Sequence, residues 1–171
     1  MYTIVYCSNS GFTAEYARLL GEKTGLSVFS LEQAKRSVDA GSDVIFLGWL
    51  MAGTIQGCRA ARKRYAVRSV CAVGMIPGDG QLNEVRRKNN LCGVSLFLLQ
   101  GGFDLKKLHG FYRLMMKMTI KTAKKELSEK EPRTLEDDNL LELLTNGGNR
   151  VSAEALTPVL TWWNDPDIQG K

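Results

Sequence analysis

Short apolar runs alternate with stretches of helical spacing along most of this chain. Ile4-Val5-Tyr6-Cys7 leads into Ala14, Tyr16-Ala17 and Leu19-Leu20, apolar positions grouped on one side of a helix. The pattern predicts strands over 2–7, 26–31, 43–49, 69–75 and 93–99. Helices are predicted between them over 13–23, 32–39, 57–66 and 81–89, with Gly25 and Ala40-Gly41 ending the first two. A last helix is expected around 156–163, with Ser152 as its N-cap and Pro158 either kinking it or moving its start. Alternation of this kind argues for an open α/β domain built around a parallel sheet.

The stretch 101–149 is too long to be a simple connection between the fifth strand and the last helix. It holds a predicted helix over 105–127, with Leu108, Tyr112, Met115 and Thr119 on one side, joined by Phe111, Leu114 and Met118. Lys117, Lys121 and Lys125 recur every fourth residue as a basic row. A polar segment (128–138), a short run of Leu140, Leu141, Leu143 and Leu144, and the turn Asn146-Gly147-Gly148-Asn149 complete the stretch. Residues 1–171 therefore read as a single domain with a helical insertion at about 103–149.

A chain of 171 residues can bury a substantial core. No apolar run approaches the roughly 18 residues of a membrane span, and the first residues lack the layout of a signal peptide. Cys7, Cys58, Cys71 and Cys92 show no metal-ligand spacing, and Cys7 and Cys71 fall in predicted buried strands, so reduced thiols in a cytoplasmic protein are expected and no metal is. The net charge is +5 and unevenly placed. Arg59, Arg62, Lys63, Arg64 and Arg68 form one cluster, and Arg86, Arg87 and Lys88 another. Between 104 and 125, Lys106, Lys107, Arg113, Lys117, Lys121, Lys124 and Lys125 face a single acid, Asp104. Such a surface is either a solvated face or one that attracts acidic partners and anionic headgroups.

The densest chemistry lies in Ser8-Asn9-Ser10-Gly11-Phe12-Thr13, where a strand should meet a helix. Hydroxyls and backbone N–H groups at a helix N-terminus hold phosphate. The loop has no lysine or arginine, so it suits a tightly held phosphomonoester better than a nucleotide triphosphate. The glycine-lysine loop of the NTPases is absent, and no G-x-G-x-x-G follows the first strand. Cys7-Ser8 and Trp49-Leu50 stand where a phospho-accepting receiver needs acids. A cysteine phosphatase would need an arginine where Thr13 stands.

With Ser8, Ser10, Gly11 and Thr13 in the places of Thr/Ser-x-Thr/Ser-Gly-x-Thr, the chain resembles the flavodoxin family. The resemblance implies a doubly wound five-stranded parallel sheet, order 2-1-3-4-5, and a bound FMN. Its phosphate would rest on Ser8, Ser10, Gly11 and Thr13 with the Asn9 and Phe12 backbone. Its ring would be framed by the loops after strands three and four. These are Trp49-Leu50-Met51-Ala52-Gly53-Thr54 and Gly74-Met75-Ile76-Pro77. The segment Gly101-Gly102-Phe103-Asp104, with Leu108 and residues 111–118, is similar to proteins related to the menaquinone-dependent protoporphyrinogen dehydrogenase.

The expected function is electron transfer through a non-covalent flavin, with a redox protein, quinone or porphyrinogen-like molecule as partner. Nucleic acid is not an expected partner. An enzyme of the dehydrogenase type is the alternative, and a non-redox interaction domain using the basic helix is another. That helix either packs Met115 and Met118 on the sheet or meets a membrane surface along Leu105 to Lys125. Arg113 or Lys117 would then pair with substrate carboxylates. No catalytic residue is named, because flavin chemistry belongs to the ring, and His109 reads as a surface or capping residue.

Overall fold

The computed structural model describes residues 2–75, 81–104, 106 and 110–169, with the backbone alone for Gly110, Tyr112 and Glu136. Its first elements are β1 (Thr3–Cys7), α1 (Phe12–Thr24), β2 (Val28–Ser30), α2 (Leu31–Ser37), β3 (Asp43–Met51) and β4 (Thr54–Ile55). Then come α3 (Cys58–Arg64), β5 (Ala66–Gly74), α4 (Leu82–Lys88) and β6 (Ser95–Gln100). Strand β3 shows why a sheet forms with both faces covered. Val44 and Phe46 enter one core while Ile45 and Leu47 enter the other, and all four are fully buried. Period-two alternation sends neighbours to opposite faces, and a strand apolar at every position needs helices on both. α1 packs on the face of Ile4, Ile45, Leu47 and Cys71. α2, α3 and α4 pack on the face of Val5, Phe46, Val70 and Ala72.

The expected α/β class holds, with a mostly parallel central sheet. Its five parallel strands run β2-β1-β3-β5-β6, and β4 adds a sixth strand antiparallel to β3. The expected count of five strands therefore misses the hairpin. Ala52 and Gly53, both with positive φ (49° and 77°), make the two-residue turn between β3 and β4. A Cβ on Gly48 would come within 2.5 Å of Ile55 and 2.6 Å of the Gln56 carbonyl oxygen, so only glycine lets the hairpin fold back there. Residues 50 and 51 are thus strand, not loop.

Smaller shifts have local causes. β2 stops at Ser30 because the Ser30 hydroxyl and the Gln33 side chain form a reciprocal cap that starts α2. Ser152 is not the N-cap of the last helix, a place that Leu156 takes; its hydroxyl accepts from the Ala155 N–H beside a 3-10 turn over Glu154–Leu156. Pro158 stands in the first turn of the following helix, so it moves the helix start and produces no kink.

The insertion is closed at its base by β7 (Gly102–Phe103) pairing with β8 (Gly148–Asn149), and the Arg150 N–H donates to the Gly101 carbonyl at 2.9 Å. Between them stand α5 (Gly110–Glu129) and α6 (Leu135–Asn146). They build a third core from Phe103, Ile120, Leu143 and Leu144, with Met116, Ala123 and Leu127 against it. Of the two expectations for α5, the packing of Met118 on the sheet does not hold. Met116, Ile120, Ala123 and Leu127 turn inward, while Phe111, Leu114 and Met118 are 72%, 61% and 70% exposed. Residues 105 and 107–109, including Leu108 and His109, lie outside the described residues. Beyond α6, α7 (Thr157–Trp163) covers the α1 face and α8 (Pro166–Gln169) ends the described chain.

Candidate functional site

A cavity of about 450 Å³ opens at the carboxyl ends of the parallel strands. Ser10, Phe12 and Thr13 line it after β1, Trp49 to Ala52 at the end of β3, and Val73, Gly74 and Met75 at the end of β5. Gly101, Gly102 and Phe103 follow β6, and Met115, Met116 and Thr119 of α5 complete the wall. Among the described residues no lining side chain is charged, and most are apolar. Its size and lining are those of a small-molecule site.

The cradle at its foot is built by the β1–α1 connection. Gly11 takes the N-cap position with φ 96°, so no side chain caps the first turn of α1. The first-turn amides of a helix lack intrahelical partners and carry its positive partial charge. A Cβ on Gly11 would meet nothing within 4 Å, leaving open space beside those amides. The Ser8 hydroxyl accepts from the Gly11 N–H at 3.2 Å and so keeps its own proton to donate. Asn9 Nδ2 is buried without a hydrogen-bond partner. An orphaned buried donor is uncommon and fits a missing acceptor. Thr13 is 2% exposed, yet it lines the cavity.

Trp49 is anchored as well as placed: its indole N–H donates to the Cys7 thiol, tying the wall of the cavity to the end of β1. On the far side of the hairpin, the Asn89 side chain accepts from the Ile55 N–H at 2.8 Å and donates to the Gly53 carbonyl at 2.9 Å. Gly53 and Thr54 face that side, away from the cavity: Gly53 lies under Lys88, and Thr54 lines a separate groove. Ser8, Asn9 and Gly11 form the cradle without lining the cavity itself. Met75 is held through its carbonyl by Gln100 Nε2 at 3.2 Å, and the Gln100 carbonyl accepts from the Tyr16 hydroxyl at 2.6 Å. Ile76 and Pro77 lie outside the described residues.

Sequence reasoning missed the side chain of Phe12 and the lining by Val73, Gly101, Gly102, Phe103 and α5. Phe12 acts through its ring, which is 5% exposed and stands 2.7 Å from where a Gly102 Cβ would project. Met115, Met116 and Thr119 reach the cavity from α5; the periodicity puts Met115 and Thr119 on one side of that helix and leaves Met116 off it. Arg113 and Lys117 do not line it; they flank Met115 by two positions, roughly 200° around the helix in either direction.

The thiols are chemically quiet. Burial pushes Cys58 up to about 11 and Cys71 up to about 12, and raises Cys7, whose proximity to Glu32 acts the same way. A nucleophilic thiolate needs the opposite shift. Among the described residues no cluster of His, Cys, Asp and Glu could hold a metal, and no helix is long and apolar enough to cross a membrane. Comparison with protein-family models, with curated proteins and with solved structures gives no match.

Proposed function

We propose that this chain is a flavodoxin-like redox protein that binds one FMN non-covalently and passes electrons between a donor and a partner or small substrate. The observation that carries this is a neutral donor cradle, with the orphaned Asn9 amide and the glycine-capped α1, opening on a cavity whose described lining is uncharged and largely apolar. The parallel strand order β2-β1-β3-β5-β6 supports it, since it is the 2-1-3-4-5 order of that fold once the β4 hairpin is set aside. When bound, FMN would supply one- and two-electron transfer through its ring.

The chain's own residues have the remaining tasks. Ser8, Ser10, Thr13 and the Asn9 amide donate to phosphate oxygens, and α1 adds its dipole. Trp49, Leu50, Met51 and Met75 cover the apolar ring, and the small residues Gly74 and Gly101 let backbone approach its polar edge. Met115 and Met116 keep water from the outer side. Riboflavin lacks the phosphate and with it all of these hydrogen bonds, and is expected to bind at least about 100-fold more weakly than FMN. The Ser10→Ala/Thr13→Ala double variant should erase most of that preference. Equal affinities for the two flavins in the unmodified protein would place the phosphate elsewhere.

A second reading, an enzyme of the protoporphyrinogen dehydrogenase type linked to a quinone, is favoured by α5 forming a wall of the same cavity. Turnover of protoporphyrinogen with a quinone acceptor tests it. The exposed stripe of Phe111, Leu114 and Met118, bordered by Lys121 and Lys125, fits a helix resting on an anionic membrane surface where such apolar molecules dissolve.

A further inference from the structure

The two basic clusters of the sequence, separated by strand β5, meet in one groove. Helix α3 buries Cys58 and Ala61 and turns Arg59, Arg62 and Lys63 outward, three and four positions apart. Helix α4 supplies Lys88 from the other bank, and Thr54 and Ile55 of β4 form the floor. The groove has a volume of about 680 Å³, and an adjoining depression extends it past Gln56 and Gly57. Arg62 is held across it by the carbonyl oxygens of Asn89 and Asn90, at 3.0 and 2.8 Å. Those acceptors are neutral, so its charge is positioned without being cancelled. Among the described residues Arg59 and Lys63 meet no carboxylate, and Glu84, paired with Lys88 at 2.6 Å, is the one acid in α4. Like charges four apart on a helix repel, so Arg59 and Lys63 disfavour each other in α3.

We propose that this groove docks an acidic protein surface. A small-anion site would converge its donors in an enclosed pocket, whereas these cations spread over two helices. Single-stranded nucleic acid would call for stacking aromatics, and among the described residues no aromatic lines the groove. A lipid surface would need apolar side chains to insert, and Ile55, the one apolar residue of the floor, is 2% exposed. Complementary charge over an open face steers and registers protein partners. The position is apt: the β3–β4 hairpin separates groove from cavity, and Lys88 Nζ donates to the carbonyl of Ala52, a cavity-lining residue, at 3.2 Å. That the partner is a redox protein rests on the flavin reading; its acidity does not.

The test uses the full chain without added flavin, so a failure of FMN binding leaves it unaffected. Fluorescence anisotropy with a labelled 20-residue polyglutamate measures binding at low and raised salt. Arg59→Glu/Lys63→Glu is expected to weaken binding at least about tenfold, Arg59→Gln/Lys63→Gln by less, and Lys117→Glu/Lys124→Glu on α5 by under about twofold. All three pairs lie on exposed or half-buried helix positions, and coincident thermal midpoints confirm folding. Equal losses from the α3 and α5 pairs, or no binding of polyglutamate, would overturn the proposal. So would displacement by stoichiometric pyrophosphate, or tighter binding of a single-stranded oligonucleotide that the α3 pair abolishes.

Discussion

A buried amide without a partner costs about 1–3 kcal/mol of desolvation, and Asn9 Nδ2 is in that position in the ligand-free chain. Asn9→Ala is therefore expected to leave the free protein as stable as before, or more so, while weakening FMN by about tenfold. Thermal melts with and without FMN separate the two effects; a loss of stability in the free chain would mean that the amide serves the fold. Gly102→Ala should act oppositely. Its Cβ would strike the Gly148 carbonyl and the Phe12 ring, so destabilisation of about 1–3 kcal/mol is expected, read as a lower thermal midpoint. The hydroxyls and glycine of 8–13 were legible as a phosphate cradle because their chemistry is local. The Trp49–Cys7 hydrogen bond and the Asn89 clamp were not, since each joins residues that only the folded chain brings together.

At the scale of elements, α6 was the largest omission. Its start is written as Thr134 and Asp137 three apart, whose side chains cap the helix reciprocally, but the charged residues around them read as a polar linker. The Lys130 ammonium, with the Thr134 N–H and hydroxyl, lowers Asp137 to about 2. The folded value lies below the ordinary carboxylate range, so the cap's stabilisation is present above about pH 4 and is lost as pH falls through about 2. Helical signal from α6 should fray over that window, and Asp137→Asn should remove the pH dependence; amide resonances of 135–138 followed by NMR check both. The β3–β4 hairpin was misread for a different reason: glycine next to alanine served equally well as a ligand-approach loop or a tight turn. α5 was found, but which of its apolar stripes is buried stayed open, because partner α6 decides it. Leu114→Glu/Met118→Glu should reduce partition onto anionic vesicles severalfold with unchanged circular dichroism. Undiminished sedimentation with vesicles would remove the exposed stripe from the account.

On the scale of the whole molecule, alternation of apolar and amphipathic segments was enough to specify a two-faced sheet. β3 and β5 each bury five consecutive, mostly apolar residues, and such runs made the class legible. Closure of the insertion was not, because β7 and β8 are two residues each. Their pairing brings Gly101 and Arg150 together, so joining those residues and deleting 102–149 should leave a cooperatively folding sheet domain. Its FMN affinity should fall on the order of tenfold with the loss of the Met115 and Met116 wall. The central claim is that the cavity and its cradle form a flavin mononucleotide site, and titration of the intact, flavin-free chain with FMN tests it most directly. Quenching of FMN fluorescence that saturates at one flavin per chain, with Kd of about 1 μM or tighter, is the predicted result. A chain that stays colourless and leaves FMN fluorescence unchanged at saturating protein would contradict it.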